Sequence, residues 1–206
     1  MKSNHKSESI PIYLDDDGLT IKCFEWGQVG LTGIINGILY TIVDENLLRE
    51  MIRSNQDVTK VCTTKVTNMN DLFGGTLFNE DISSWDVSNV TNMNEMFYGS
   101  EFNRNISNWN VGRVKDMGYM FRMTKFNQPI GNWNVSNVSD MNKMFSKSHF
   151  NHDIGNWDVG NVTNMYRMFD DSFFNRDIRN WDVSKVKNMS GMFSKYSPFN
   201  QDIGKW

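Results

Sequence analysis

Cysteine, proline and histidine are nearly missing from this chain: 206 residues hold two, three and three of them respectively. That scarcity removes most arrangements used for nucleophilic catalysis or zinc binding. His5, His149 and His152 have no Cys or Ser partner in a recognisable arrangement, and no Gly-rich phosphate loop occurs. Cys23 and Cys62 match no zinc spacing. They read either as a disulfide, which needs an oxidising compartment, or as free buried thiols, the commoner state in a chain without an export signal. Charge of one sign is lacking too. The net charge is -3 and there is no basic run, so nucleic acid is not an expected partner. The most apolar window, residues 34–43, is interrupted by Asn36-Gly37 and is too short to cross a bilayer. Residues 1–9 are polar, lack the apolar stretch of a signal peptide and are expected to be disordered. These absences set aside an enzyme, a cofactor, a metal ion and membrane insertion, and leave the compartment open.

What the chain does have is a period. Trp85, Trp109, Trp133, Trp157 and Trp181 stand 24 residues apart, with Trp206 following at 25. Isoleucine keeps step from Ile82 to Ile203, and two valine series run from Val66 and Val87. Met69 to Met189, Leu72 to Met192, and the paired series Phe73 to Phe193 and Phe78 to Phe199 complete the unit. A period in the twenties predicts a stacked solenoid whose single units cannot bury their own apolar face.

Within a unit, Val90, Met93, Met96 and Phe97 lie at i, i+3, i+6 and i+7, the spacing of one face of a short helix or 3₁₀ turn. Thr91 and Thr163 are placed to cap it. Trp85 and Val87 alternate around Asp86, the spacing of a short strand. The expected fold is therefore an α/β solenoid, a leucine-rich-repeat-like right-handed coil of about six 24-residue units with short parallel strands and short helices, over residues 64–206. Asn79, Asn103, Asn127, Asn151, Asn175 and Asn200 each follow the closing Phe and predict a buried ladder of side-chain amides. Pro129 replaces the Asp or Asn of other copies, so no ladder amide is needed there.

Residues 10–63 lack the period and read as a small α+β N-terminal cap. Ile12 and Leu14 alternate, Asp15-Asp16-Asp17-Gly18 turns, and Leu19, Ile21 and Cys23 alternate again. The acid run has no further ligand at calcium-loop spacing, so it reads as a turn. Asn36-Gly37 predicts a second hairpin, and Asp44 a helix presenting Leu47, Leu48, Met51 and Ile52. The far end, Trp206, stops on a strand position without the following valine. That predicts either a truncated member of a longer array or an uncapped end covered by a partner, including self-association with a second copy.

The unit Phe78-Asn-Glu-Asp-Ile-Ser-Ser-Trp-Asp-Val-Ser-Asn-Val-Thr-Asn-Met-Asn-Glu-Met-Phe97 resembles the repeats of BspA-like leucine-rich-repeat surface proteins. The resemblance covers residues 64–206, and residues 12–62 are similar to the leader that often precedes such repeats. It implies a leucine-rich-repeat-like solenoid with roles in adhesion and protein binding, on a cell surface or secreted. A signal and an anchor, which the family carries, are not seen in this chain.

The expected function is thus a non-enzymatic interaction or adhesion module. With Trp and Val inward, Asp86, Asn110, Asn134, Asp158 and Asp182 form an exposed row suited to a basic protein or carbohydrate partner. A solvated polar face is the bland reading of the same row. A passive, crystal-facing array is the alternative class. It needs an aligned threonine face, which Thr67, Thr91 and Thr163 begin and Lys115, Ser139 and Lys187 interrupt. A decayed surface-repeat protein without a ligand is the remaining alternative.

Overall fold

A computed structural model describes residues 10–194 and 196–206; the segment expected to be disordered, residues 1–9, lies outside the described residues. The N-terminal elements stand where alternation and turn chemistry place them. Strands β1 (Ile12–Leu14) and β2 (Ile21–Cys23) pair antiparallel with Ile12 opposite Cys23. Asp17 Oδ1 accepts the Leu19 and Thr20 N–H groups, so the acid run closes a turn. Strands β3 (Thr32–Ile35) and β4 (Ile38–Ile42) flank Asn36 and Gly37, whose φ values of 51° and 80° are the pair that a type I′ turn requires. Helix α1 (Glu45–Arg53) starts at Asp44, whose Oδ1 accepts the Leu47 N–H at 2.9 Å. Leu48 is buried, and Leu47, Met51 and Ile52 pack against the core of the repeats. Strand β5 (Val61–Cys62) then joins β4 in parallel. Both cysteines are free and buried in a second, smaller core with Ile12, Ile21, Tyr40 and Ile42. Burial pushes the Cys62 thiol up to about 12, so it stays protonated at neutral pH.

The repeated region departs from the expected short helices and strands. Among the described residues from 64 onward there is no α-helix, and strand pairing is reduced to single bridges. The 3-3-1 spacing of Val90, Met93, Met96 and Phe97 is met by chained turns instead. Met96 N–H donates to the Met93 carbonyl, Tyr98 to Glu95 and Ser100 to Phe97, at 3.2, 2.9 and 3.1 Å. Glu95 and Gly99 take the positive φ, 57° and 63°, that the third position of a type II turn demands. These turns aim alternate amides out of the unit. Met93, Glu95, Phe97 and Gly99 N–H donate to the carbonyls of Asp116, Gly118, Met120 and Arg122 in the next unit, at 2.8–3.1 Å. A helix would keep those donors for itself, and they are what joins the units. Parallel bridges run through the same ladder, from Asn68 to Asn92, Asp116, Asp140, Asn164 and Asn188. Thr91 and Thr163 cap no helix; their hydroxyls donate to the Thr67 and Ser139 carbonyls of the preceding unit.

The Trp-x-Val side, expected to be a strand, is a corner. Trp85 N–H donates to the Ile82 carbonyl and Val90 N–H to Val87, at 3.1 and 2.9 Å, and the pattern recurs in later units. Side chains join the units here. The indole N–H groups of Trp109, Trp133, Trp157 and Trp181 donate to the Ile82, Ile106, Ile130 and Ile154 carbonyls at 3.1–3.3 Å. The asparagine ladder is present, yet half-exposed or exposed rather than buried. The Oδ1 atoms of Asn79, Asn103, Asn127 and Asn151 each accept the backbone N–H of the next member at 2.9–3.0 Å.

Between corner and ladder lies one continuous core running from Val43 to Met192. Phe97 and Phe102 stack at 4.0 Å within a unit, while Phe97 to Phe121 is 5.7 Å and Phe102 to Phe126 is 6.3 Å between units. Two parallel columns of rings therefore thread the stack. Sequence reasoning missed a supporting series, Thr76, Ser100, Thr124, Ser148 and Ser172, each two residues before a core Phe. The hydroxyls of Ser100, Thr124 and Ser172 donate to the Phe97, Phe121 and Phe169 carbonyls at 2.8–2.9 Å, satisfying groups that water cannot reach.

Candidate functional site

With core, corner and ladder residues committed to structure, the outward positions of each unit are left to meet other molecules. The expected row between Trp and Val divides on inspection. Asn110, Asn134, Asp158 and Asp182 are exposed, whereas Asp86 is only 3 % exposed. The first copy is covered because β2 crosses beside it: Ile21 bridges Trp85, and its N–H donates to the Ser84 carbonyl at 2.9 Å. Asp86 thus leaves the exposed row. Its Oδ2 is buried without a hydrogen-bond partner, and its backbone carbonyl accepts the Thr63 hydroxyl at 2.9 Å. Lys22, raised chiefly by its hydrogen bond to Asp15, also feels the Asp86 charge.

Each member of the row has a structural task. The Oδ1 atoms of Asp86, Asn110, Asn134, Asp158 and Asp182 accept the backbone N–H two residues on, at 3.0–3.1 Å. This is the local turn for which Asp and Asn are suited. Hydrogen bonds from the Ser184 side chain and backbone hold the Asp182 carboxyl below its ordinary value. The same device recurs at Asp81, Asn105, Asp153, Asp177 and Asp202, and Pro129 is the copy that does without it.

A different outward group collects on the ladder face. Met93, Met96 and Phe97 point into the core, and the residues between and after them face solvent. Arg122 lies 5.2 Å from the Tyr98 ring centre and 5.8 Å from that of Tyr119. Lys143 lies 5.0 Å from Tyr119 and 5.4 Å from Tyr166, and Arg167 lies 5.3 Å from Tyr166. The result is an alternating row of tyrosine and cation that crosses four units. Two hydroxyls tighten it: Arg122 Nη1 donates to Tyr98 Oη at 3.0 Å and Lys143 Nζ to Tyr119 Oη at 3.4 Å. The signal in the sequence was a failure of recurrence. The columns holding these six residues carry Asn, Asp, Glu, Gly and Ser in other copies.

The histidines gather no chemistry. His152 Nε2 lies 2.9 Å from the Asn127 carbonyl, and His149 meets the Phe173 ring edge-on; His5 lies outside the described residues. Among the described residues no group of three or more His, Cys, Asp or Glu is placed to hold a metal ion. Among them, too, no helix is long and apolar enough to cross a membrane. A groove of about 390 Å³ beside the first unit is lined by Ile52, Val58, Phe73 and Phe78, with Leu77 standing out at 86 % exposure.

Residues 45–149, and again residues 122–206, match the family described as "Mycoplasma protein of unknown function, DUF285". No curated protein and no solved structure matches the chain.

Proposed function

The chain belongs to the DUF285 family, and on that premise we propose that it is a non-enzymatic interaction module built on a leucine-rich-repeat-like solenoid. Support for the solenoid comes from the parallel bridges and the 24-residue offset of the hydrogen bonds between copies. The resemblance of the units to BspA-like surface repeats supports an interaction or adhesion role. One observation carries the reading. Nearly every recurring side chain is committed to the core, to a turn or to the neighbouring unit, while six non-recurring ones line up as a tyrosine–cation row across four units. A scaffold that repeats its framework and varies its surface presents a binding face, as solenoids do.

A protein partner fits that surface best, with a carbohydrate as the other class. The weak net charge of -3 speaks against nucleic acid. The purified chain, immobilised and exposed to arrayed proteins and glycans, is expected to bind at least one of them saturably and to release it chemically unchanged. Absence of saturable binding across both arrays, or turnover of the bound molecule, overturns the reading.

A further inference from the structure

We propose that the tyrosine–cation row on the ladder face docks an acidic, extended segment of a partner protein. This rests on reading the chain as an interaction module. It is carried by the three positive charges of Arg122, Lys143 and Arg167. Among the described residues none of them forms an ion pair with a carboxylate. Their charged heads rest over the Tyr98, Tyr119 and Tyr166 rings instead, so the entropy of holding a long cation still is largely met before a ligand arrives. Arg122 Nε is buried with no hydrogen-bond partner.

The backbone beneath the row sets the direction of its side chains. Tyr119, Lys143 and Arg167 occupy one column, and each adopts positive φ, 57°, 50° and 51°. The next member of that column is Gly191, at 65°. Glycine takes this conformation freely, whereas a residue with a Cβ loses about 1–2 kcal/mol there. Asp71 and Glu95, at 49° and 57°, continue the column before the row, so the left-handed position belongs to the turn and fixes where each of these side chains leaves the chain.

Charge and surroundings select the partner. The row offers one cation per unit in three successive units. Alternate side chains of an extended peptide share one face, so Asp or Glu at alternate positions presents a carboxylate for each cation. Glu95, Asp170 and Asp171 border the row, which disfavours a continuous polyphosphate or polysulfate. Met123, 48 % exposed beside Arg122, offers an apolar contact. Tyr, Arg and Met are the side chains enriched at protein interfaces.

The test is fluorescence anisotropy with the full chain and a labelled synthetic peptide carrying Glu at alternate positions between Val residues. The Glu→Gln version, an oligothymidylate and a sulfated glycan serve as comparison probes. Saturable binding of the Glu peptide is expected, weakened about tenfold by the triple variant Arg122→Gln/Lys143→Gln/Arg167→Gln. It should weaken again as salt rises from about 0.05 to 0.3 M. Lys143→Gln alone should give a smaller loss and serves if the triple variant does not fold. Asn110→Ala/Asn134→Ala should leave binding unchanged. Equal binding by wild type and Lys143→Gln, preference for the oligonucleotide or glycan, or no binding of the Glu peptide overturns the proposal. If the arrays yield a partner whose binding ignores the triple variant, the docking surface is refuted while the interaction reading stands. If the arrays yield none, both fall.

Discussion

An indole N–H buried between two units must find an acceptor, and here it finds one main-chain carbonyl of the preceding unit. Trp133 donates to Ile106 at 3.2 Å, so the tryptophan is at once a core residue and a link between units. Trp133→Phe keeps an aromatic ring but removes one of two donors to that carbonyl, which still accepts the Trp109 N–H at 3.1 Å, so the expected loss is about 0.5–1.5 kcal/mol plus the area of the missing ring. Urea unfolding monitored by circular dichroism measures it. Trp206 is the internal control: its indole N–H is buried without a partner, so Trp206→Phe should cost distinctly less. At this scale much was legible. The asparagine series follows each closing Phe and does link copy to copy, as its spacing indicated. The Ser and Thr two residues before each Phe were equally periodic but passed unnoticed, because small polar residues carry no hydropathy signal.

At the scale of elements, legibility depended on whether local rules acted alone. Asn36-Gly37 and Asp44 specify a turn and a helix start by local chemistry, and both are found. The segment from Val90 to Phe97 was misread because its 3-3-1 apolar spacing suits a short helix and a pair of turns equally. The choice falls to where the amides go, which depends on a neighbouring unit and is invisible in one copy. The turns carry a second column of positive φ: Gly75 and Gly99 at 66° and 63°, then Met123, Lys147 and Asp171 at 59°, 56° and 54°. Lys147→Gly should therefore stabilise the chain by about 0.5–1 kcal/mol, net of the entropy glycine adds to the unfolded state. A rise in the urea midpoint without a change in slope is the expected reading. The candidate surface was the least legible part. In the row between Trp and Val, four members are exposed and Asp86 is not, because its cover is a hairpin more than sixty residues earlier in the chain. The tyrosine–cation row was missed because it is defined by departures from the repeat.

For the whole molecule, each unit joins its neighbours by the same set of bonds displaced by 24 residues, so stability accrues unit by unit. Deletion of residues 133–156 removes one period and leaves donors facing equivalent acceptors. The shortened chain is expected to fold, with the same circular dichroism per residue and a lower melting temperature. Removal of half that length breaks the register of core and ladder together and should abolish cooperative melting.

That interchangeability poses a problem of phase for a folding chain, since any unit could settle on any other and only one alignment is native. The recurring core and ladder bonds do not distinguish one alignment from its neighbour displaced by a whole unit. The covered aspartate does. Thr63 grips the Asp86 carbonyl at 2.9 Å and Ile21 bridges Trp85, contacts that no later copy has among the described residues. Asp86 thus works as an index mark from which the copies are counted, and weakening it would free the array to slip frame.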